Sequence, residues 1–206
     1  MSYVEFFGVV FGLIAVWLTA RAIIWGWVIG ILNIVFAFIL YYQIQLYPDM
    51  FLQVFFFITN ILGWWRWTHP KPEEEGNKRE LRVSLMKRNQ TLLIVLIAVI
   101  FTFLTGRFAA NLHRWFPDVF ALPSAYPYVD SFILVMSIVA TFLAIQKKIE
   151  CWVVWIVVDI TATILYYKKG VRFYSFEYLI FTMIALFGLW KWITEYRGYR
   201  RHTTAV

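Results

Sequence analysis

Asp159 lies near the centre of an apolar run, 150–168. An unpaired charge at the middle of a membrane-spanning helix costs at least about 2.5–3.5 kcal/mol, so this side chain is expected to face a cavity or a partner. Trp152, Trp155, Asp159, Thr163 and Tyr166 follow a 3, 4, 4, 3 spacing, which at 100° per residue keeps them on one helical face. Indole faces, a hydroxyl and a carboxylate in one stripe make a binding surface, and Trp155, a turn from Asp159, is the expected stacking residue. Asn33 sits at comparable depth in the run 25–44, and Gln53 and Asn60, seven apart in the run 49–67, share a face. Trp27 and Tyr178 complete the candidate substrate-binding set. The competing reading is structural: Gly26, Gly30 and Ala37 pack helix against helix, the amides bond across them, and Asp159 pairs with a neighbouring hydroxyl or amide. His69, His113 and His202 all fall outside the apolar runs, which disfavours haem ligation by paired histidines. A Ser–His–Asp set, a His-rich metal cluster and a Gly-rich phosphate loop are also missing. The expectation is therefore a protein that is not an enzyme, with no catalytic residue, cofactor or metal. No Lys or Arg lies mid-run either, so a phosphorylated ligand would find nothing to neutralise it and should be rejected.

These residues need a bilayer around them. With 62% hydrophobic and 15% charged residues the chain is too apolar for a water-soluble globule. About 20 helical residues cross the roughly 30 Å hydrocarbon layer, and seven runs qualify: about 4–21, 25–44, 49–67, 90–106, 130–146, 150–168 and 173–193. The segment Thr68 to Asn89 reads as a charged connection and Arg107 to Asp130 as a polar one containing prolines. Met1 to Glu5 lacks the basic start of a cleavable signal peptide, and a lone Cys151 excludes an internal disulfide.

The chain also repeats itself at an offset of 125 residues: Trp27, Tyr41, Tyr42, Gly63, Trp65 and Trp67 recur as Trp152, Tyr166, Tyr167, Gly188, Trp190 and Trp192. Internal repetition in a hydrophobic chain points to a transporter of two like halves with its substrate between them. Three helices per repeat would insert the second repeat upside down, and a fourth, inverting helix restores parallel halves. The expected fold is thus all-α and integral to the membrane, seven transmembrane helices in a 3+1+3 arrangement of the kind seen in SWEET proteins. Residues 1–67 form the first three-helix repeat, and 130–193 the second. Residues 68–129 hold a cytoplasmic linker, inverting helix 4 (about 90–106) and an external loop, and 194–206 a cytoplasmic basic tail. One face of this topology collects Arg21, Arg66, Lys71, Lys78, Arg79, Arg82, Lys87, Arg88, Lys147, Lys148, Lys191, Arg197, Arg200 and Arg201. The other keeps Arg107, Arg114, Lys168, Lys169 and Arg172. That asymmetry places the N-terminus outside and the C-terminus inside. Much of the net charge of +7 is then topological, and no nucleic-acid partner is expected. Trp65, Trp67, Trp190 and Trp192, beside Arg66 and Lys191, are expected to form an interfacial belt.

Trp27-Val28-Ile29-Gly30-Ile31-Leu32-Asn33, Leu46-Tyr47-Pro48-Asp49-Met50-Phe51-Leu52-Gln53 and Gly63-Trp64-Trp65-Arg66-Trp67 resemble the signature of the PnuC vitamin transporters. Lys148-Ile149-Glu150-Cys151-Trp152-Val153-Val154-Trp155, with Asp159 and Tyr166-Tyr167, is similar to the family's second-half segment. Val28 departs from the proline expected there. The resemblance implies uptake of nicotinamide riboside across the bacterial inner membrane by facilitated diffusion, with intracellular phosphorylation trapping the product for NAD biosynthesis. It also implies a homotrimer. Thiamine or another vitamin such as riboflavin is the alternative cargo, and a non-transporting seven-helix receptor is the reading from another class.

Overall fold

The computed structural model describes residues 3–43, 47–76, 80–117, 122–170 and 172–203, so Lys78 and Arg79 lie outside the described residues, as do the side chains of Tyr41, Arg200, Arg201 and His202. It is a helical bundle of α1 (Tyr3–Ala20), α2 (Trp25–Gln43), α3 (Tyr47–Thr68), α4 (Arg88–Trp115), α5 (Pro127–Ile145), α6 (Glu150–Lys168) and α7 (Arg172–Thr203), with a 3-10 turn at Pro72–Glu74. Among the described residues, four stretches are long and apolar enough to cross a membrane: Arg88–Trp115, Pro127–Ile145, Glu150–Lys168 and Tyr174–Tyr199. Phe6–Ala20 and Trp25–Leu40 are shorter apolar helices.

Six helices close a ring: α1 packs on α2, α2 on α3, α3 on α5, α5 on α6, α6 on α7 and α7 on α1, while α4 leans on α5 from outside. Leu92, Leu93, Val95, Leu96, Val99, Phe101 and Phe103 of α4 are exposed, an apolar surface that suits acyl chains better than water.

Local geometry repeats with the sequence. α1 ends where Ala22 takes φ 57° and α5 where Lys147 takes φ 53°, positions 125 apart. In both turns the left-handed residue's N–H bonds back to Thr19 or Ala144 O at 2.9 Å, and the next N–H reaches Leu18 or Leu143 O at 2.9 Å. This is the Schellman closure of a helix, normally built on glycine. α5 starts with Pro127, whose fixed φ suits a first helical position.

The sequence-based expectations need three corrections, two of them at helix boundaries. α4 runs on to Trp115, so much of the expected polar connection after residue 106 is helix; its Asn111 and Arg114 are polar without breaking the helix. α7 continues to Thr203, into the expected tail, where Tyr199 bonds Glu195 Oε1 at 2.8 Å and its hydroxyl lies near Gly76 of the linker. The third concerns tryptophan. Trp67 and Trp192 are 0% exposed, whereas Trp65 and Trp190 face outward. Only the latter pair is placed to serve an interfacial belt.

The buried pair holds the repeats together. Trp67 Nε1 donates to Ala144 O at 3.0 Å and Trp192 Nε1 donates to Thr19 O at 3.2 Å. Donors and acceptors are each 125 apart, so the two bonds are copies of one another, exchanged between the halves. Trp27 meets Trp67 edge-on at 5.5 Å, Trp67 meets Trp192 at 5.8 Å, and Trp192 meets Trp152 edge-on at 5.4 Å. Trp27 lies flat over Gly63 and Trp152 over Gly188, where an added Cβ would come within 2.5 Å and 2.7 Å of the ring. A glycine is required at both.

The linker straps this tryptophan end. Leu81 and Val83 are buried, Leu81 N–H bonds Trp67 O at 3.0 Å, and Ser84 exchanges backbone bonds with Lys147 and Ile149 at 3.1 and 3.0 Å. Met86 N–H donates to Glu150 Oε1 at 2.8 Å. Lys147, only 2% exposed, sets its ammonium 4.3 Å from the Trp67 ring centroid and 3.9 Å from Glu80. Further out, Arg66 pairs with Glu74 at 2.6 Å, and that guanidinium lowers the Glu74 pKa.

Candidate functional site

The helical ring encloses a cavity of about 550 Å³, within the usual size of a small-molecule site. Trp27 and Trp152 sit at its closed, tryptophan end. At the other end its lining reaches Leu40, near the end of α2, and Tyr174, near the start of α7.

Of the ten candidates, eight line this space: Trp27, Asn33, Gln53, Asn60, Trp152, Trp155, Asp159 and Tyr178. They come from α2, α3, α6 and α7, two helices of each repeat. Thr163 and Tyr166 do not line it. They share the Asp159 face of α6, but α7 packs over that face away from the tryptophan end. Thr163 Oγ1 bonds Asp159 O at 2.8 Å, Thr163 O accepts from Ser175 Oγ at 2.9 Å, and Tyr166 stacks on Tyr178 at 5.4 Å with rings 8° apart. Periodicity places a residue on a face; the neighbour decides whether that face meets a cavity or a helix.

The amides are half committed. Asn33 Nδ2 donates to Gly8 O on α1 at 2.7 Å, and Asn60 Nδ2 donates to Phe56 O at 2.9 Å. Each therefore does structural work while keeping its carbonyl oxygen and a second N–H for other partners. Gln53 is buried and has a partner within the protein. The Nε1 atoms of Trp27 and Trp152 are buried with no acceptor among the described residues. The two orphan donors are copies of one another at the offset of 125, so the joint leaves the same indole N–H unbonded in both repeats.

Charge in the cavity has one sign. Asp159 is 4% exposed, and neither it nor Glu177 has an ion pair among the described residues. Among the described residues, no Lys, Arg or His contributes to the lining. Glu177 escaped the sequence reading because it falls near the start of the apolar run 173–193, where a carboxylate reads as interfacial. Ser137 and Thr141 of α5 also line the cavity, and their i, i+4 spacing was the available signal. Aromatic walls, amide and hydroxyl groups and two acids can hold a flat, polar, cationic molecule. They supply nothing that would neutralise a phosphate.

Comparisons with known proteins agree with a carrier. The family model described as nicotinamide mononucleotide transporter matches residues 2–194. A nicotinamide riboside transporter PnuC of Escherichia coli (strain K12) is 31% identical over 211 residues, covering 96% of this chain and 87% of that protein. A riboflavin/roseoflavin transporter RibM of Streptomyces davaonensis is 24% identical, over 90% of this chain and 82% of that protein. A crystal structure of the vitamin B3 transporter PnuC superposes with a TM-score of 0.68 at 23% identity, covering 94% of this chain and 81% of that one. That structural likeness is one of fold.

Proposed function

The chain belongs to the PnuC family of membrane transporters, and from that premise we propose that it takes up nicotinamide riboside through the cavity between its repeats. The observation that carries this reading is the sign of the cavity: among the described residues its lining has two carboxylates, no basic side chain and indole walls. Nicotinamide riboside has a flat ring with a permanent positive charge, and an indole face attracts such a cation by about 0.5–2 kcal/mol. Trp155 stacks on the ring, and Asp159 balances its charge. Asn33, Gln53 and Asn60 bond the ribose and carboxamide, and Trp27 and Trp152 form the apolar floor beneath the ligand. Thr163 and Tyr166 act at one remove, by seating α6 and Tyr178. A mononucleotide would bring a phosphate to these acids, so it is excluded despite the family model's description.

In this reading the repeats lie parallel in a SWEET-like 3+1+3 arrangement with α4 as the inverting helix. The reciprocal indole bonds support it, because equivalent residues of both halves meet at one end of the bundle. The basic linker marks that end as cytoplasmic, with the N-terminus outside and the C-terminus inside the bacterial inner membrane. The tryptophan end is then the closed inner gate, and the halves rock to expose the cavity alternately. Transport is uncoupled, phosphorylation inside traps the product, and the protein works as a homotrimer.

Titrating purified protein with the riboside, its mononucleotide, nicotinamide and thiamine while following tryptophan fluorescence tests the cargo. A response to the riboside alone is expected, and a response to the mononucleotide of equal strength would overturn the reading. Thiamine, another flat cation, is the competing cargo, and a response to it alone would replace the riboside. Flux into sealed vesicles separates transport from reception, since a receptor binds and moves nothing. Loss of accumulation on adding a protonophore would count against uncoupled flux.

A further inference from the structure

We propose that Glu177 is the cavity's charge filter, the residue that makes it choose the positively charged riboside over an uncharged molecule of the same shape. This rests on the proposed cargo and adds to it a residue and a rule of selection. Glu177 stands on α7 beside Tyr178 and Tyr174, all three lining the cavity. Its depth follows from its neighbours: Ser175 Oγ bonds Thr163 O at 2.9 Å and Tyr178 stacks on Tyr166. Because α7 runs antiparallel to α6, Glu177 lies between the levels of Thr163 and Asp159, further from the tryptophan end than Asp159. Asp159 is the deeper acid, 4% exposed and without an ion pair among the described residues. A ligand entering from the Leu40 and Tyr174 end meets Glu177 first and Asp159 second.

Shape and hydrogen bonding do not separate the riboside from its two-electron-reduced dihydro form. Both carry the ribose and the carboxamide, and their rings are alike in size. They differ in charge, and a carboxylate in a half-buried, apolar wall is the group that feels that difference. Asp159 lies at mid-depth in α6 and is available to the cation only after entry. Glu177 acts on the approach as well as in the bound state.

The test is equilibrium binding of the riboside and its dihydro form to the full-length protein and to Glu177→Gln and Glu177→Asp. The unmutated protein should prefer the cation by roughly tenfold or more, as expected for one added charge contact at intermediate dielectric. Glu177→Gln keeps size and hydrogen-bonding capacity; it should cost the cation roughly tenfold while moving the dihydro form by less than about twofold. Glu177→Asp should keep the preference, and it is read independently of the glutamine variant. Equal weakening of both ligands by Glu177→Gln, unchanged affinity for the cation, or loss of the preference in Glu177→Asp would each overturn the filter. If the unmutated protein binds neither ligand, the proposed cargo falls together with the filter. If it binds the riboside and Glu177→Gln retains the full preference, the filter alone falls.

Discussion

At the tryptophan end, Trp27 and Trp67 of the first repeat face Trp152 and Trp192 of the second, each over or beside its own copy of the same glycine, with indole bonds exchanged in both directions. In the cavity the same offset pairs Asn33 with Val158, Ile34 with Asp159, Gly30 with Trp155, Asn60 with Ala185 and Gln53 with Tyr178. The first repeat supplies the amides of the lining and the second supplies its acids and Trp155. Closing a two-part bundle needs the same joint made twice, whereas an asymmetric ligand with a charged end gains nothing from a symmetric site. The repeat is thus kept where the halves grip each other and differs where they line the cavity.

Removing one side of the joint should have the largest effect. Trp192→Ala and Trp67→Ala each empty a fully buried indole site and break one exchanged bond, at a cost of about 3–5 kcal/mol. Thermal unfolding in detergent should show similar losses for the two, and a loss confined to one would break the comparison. Overfilling the joint comes next. Gly63→Ala and Gly188→Ala drive a methyl into Trp27 and Trp152, and about 1–3 kcal/mol of destabilisation is expected at each.

Cavity changes should behave differently. Trp155→Ala removes a stacking face and should weaken riboside binding by about 1–2 kcal/mol with a smaller effect on unfolding. Asn33→Ala also loses its bond to Gly8 O, so it should lower both affinity and stability, by about 1 kcal/mol each. Normal binding by both variants would sink the site assignment. The smallest effect sharpens the comparison at a single backbone position. Ala22→Gly relieves a left-handed residue and should stabilise by about 0.5–1 kcal/mol. At Lys147→Gly the same relief is offset by the lost ammonium–indole contact of about 0.5–2 kcal/mol, so calorimetry should find no gain there.

Much of the cavity lining was legible in the residues. Asp159 was marked by its cost in an apolar run, and Trp155, Asn33, Gln53 and Asn60 by depth and spacing. The tryptophans near the ends of α3 and α7 were read less well, because sequence depth alone does not separate a belt from a core. Trp65 and Trp67 are two residues apart and therefore point to nearly opposite sides of α3, one outward and one into the joint. Lys147 was counted as a surface charge, and the linker strap beneath which it is buried has no periodic signature.

Composition determined that this chain is a membrane protein, because apolar runs of spanning length have no other stable solvent. The offset of 125 determined that it is built from two like halves. Which face of each helix meets a cavity, a neighbour or lipid was decided only by the closed ring. Glu177, Thr163 and Tyr166 carry the same chemistry in any context, and packing against α6 and α7 alone determines whether that chemistry reaches the cavity.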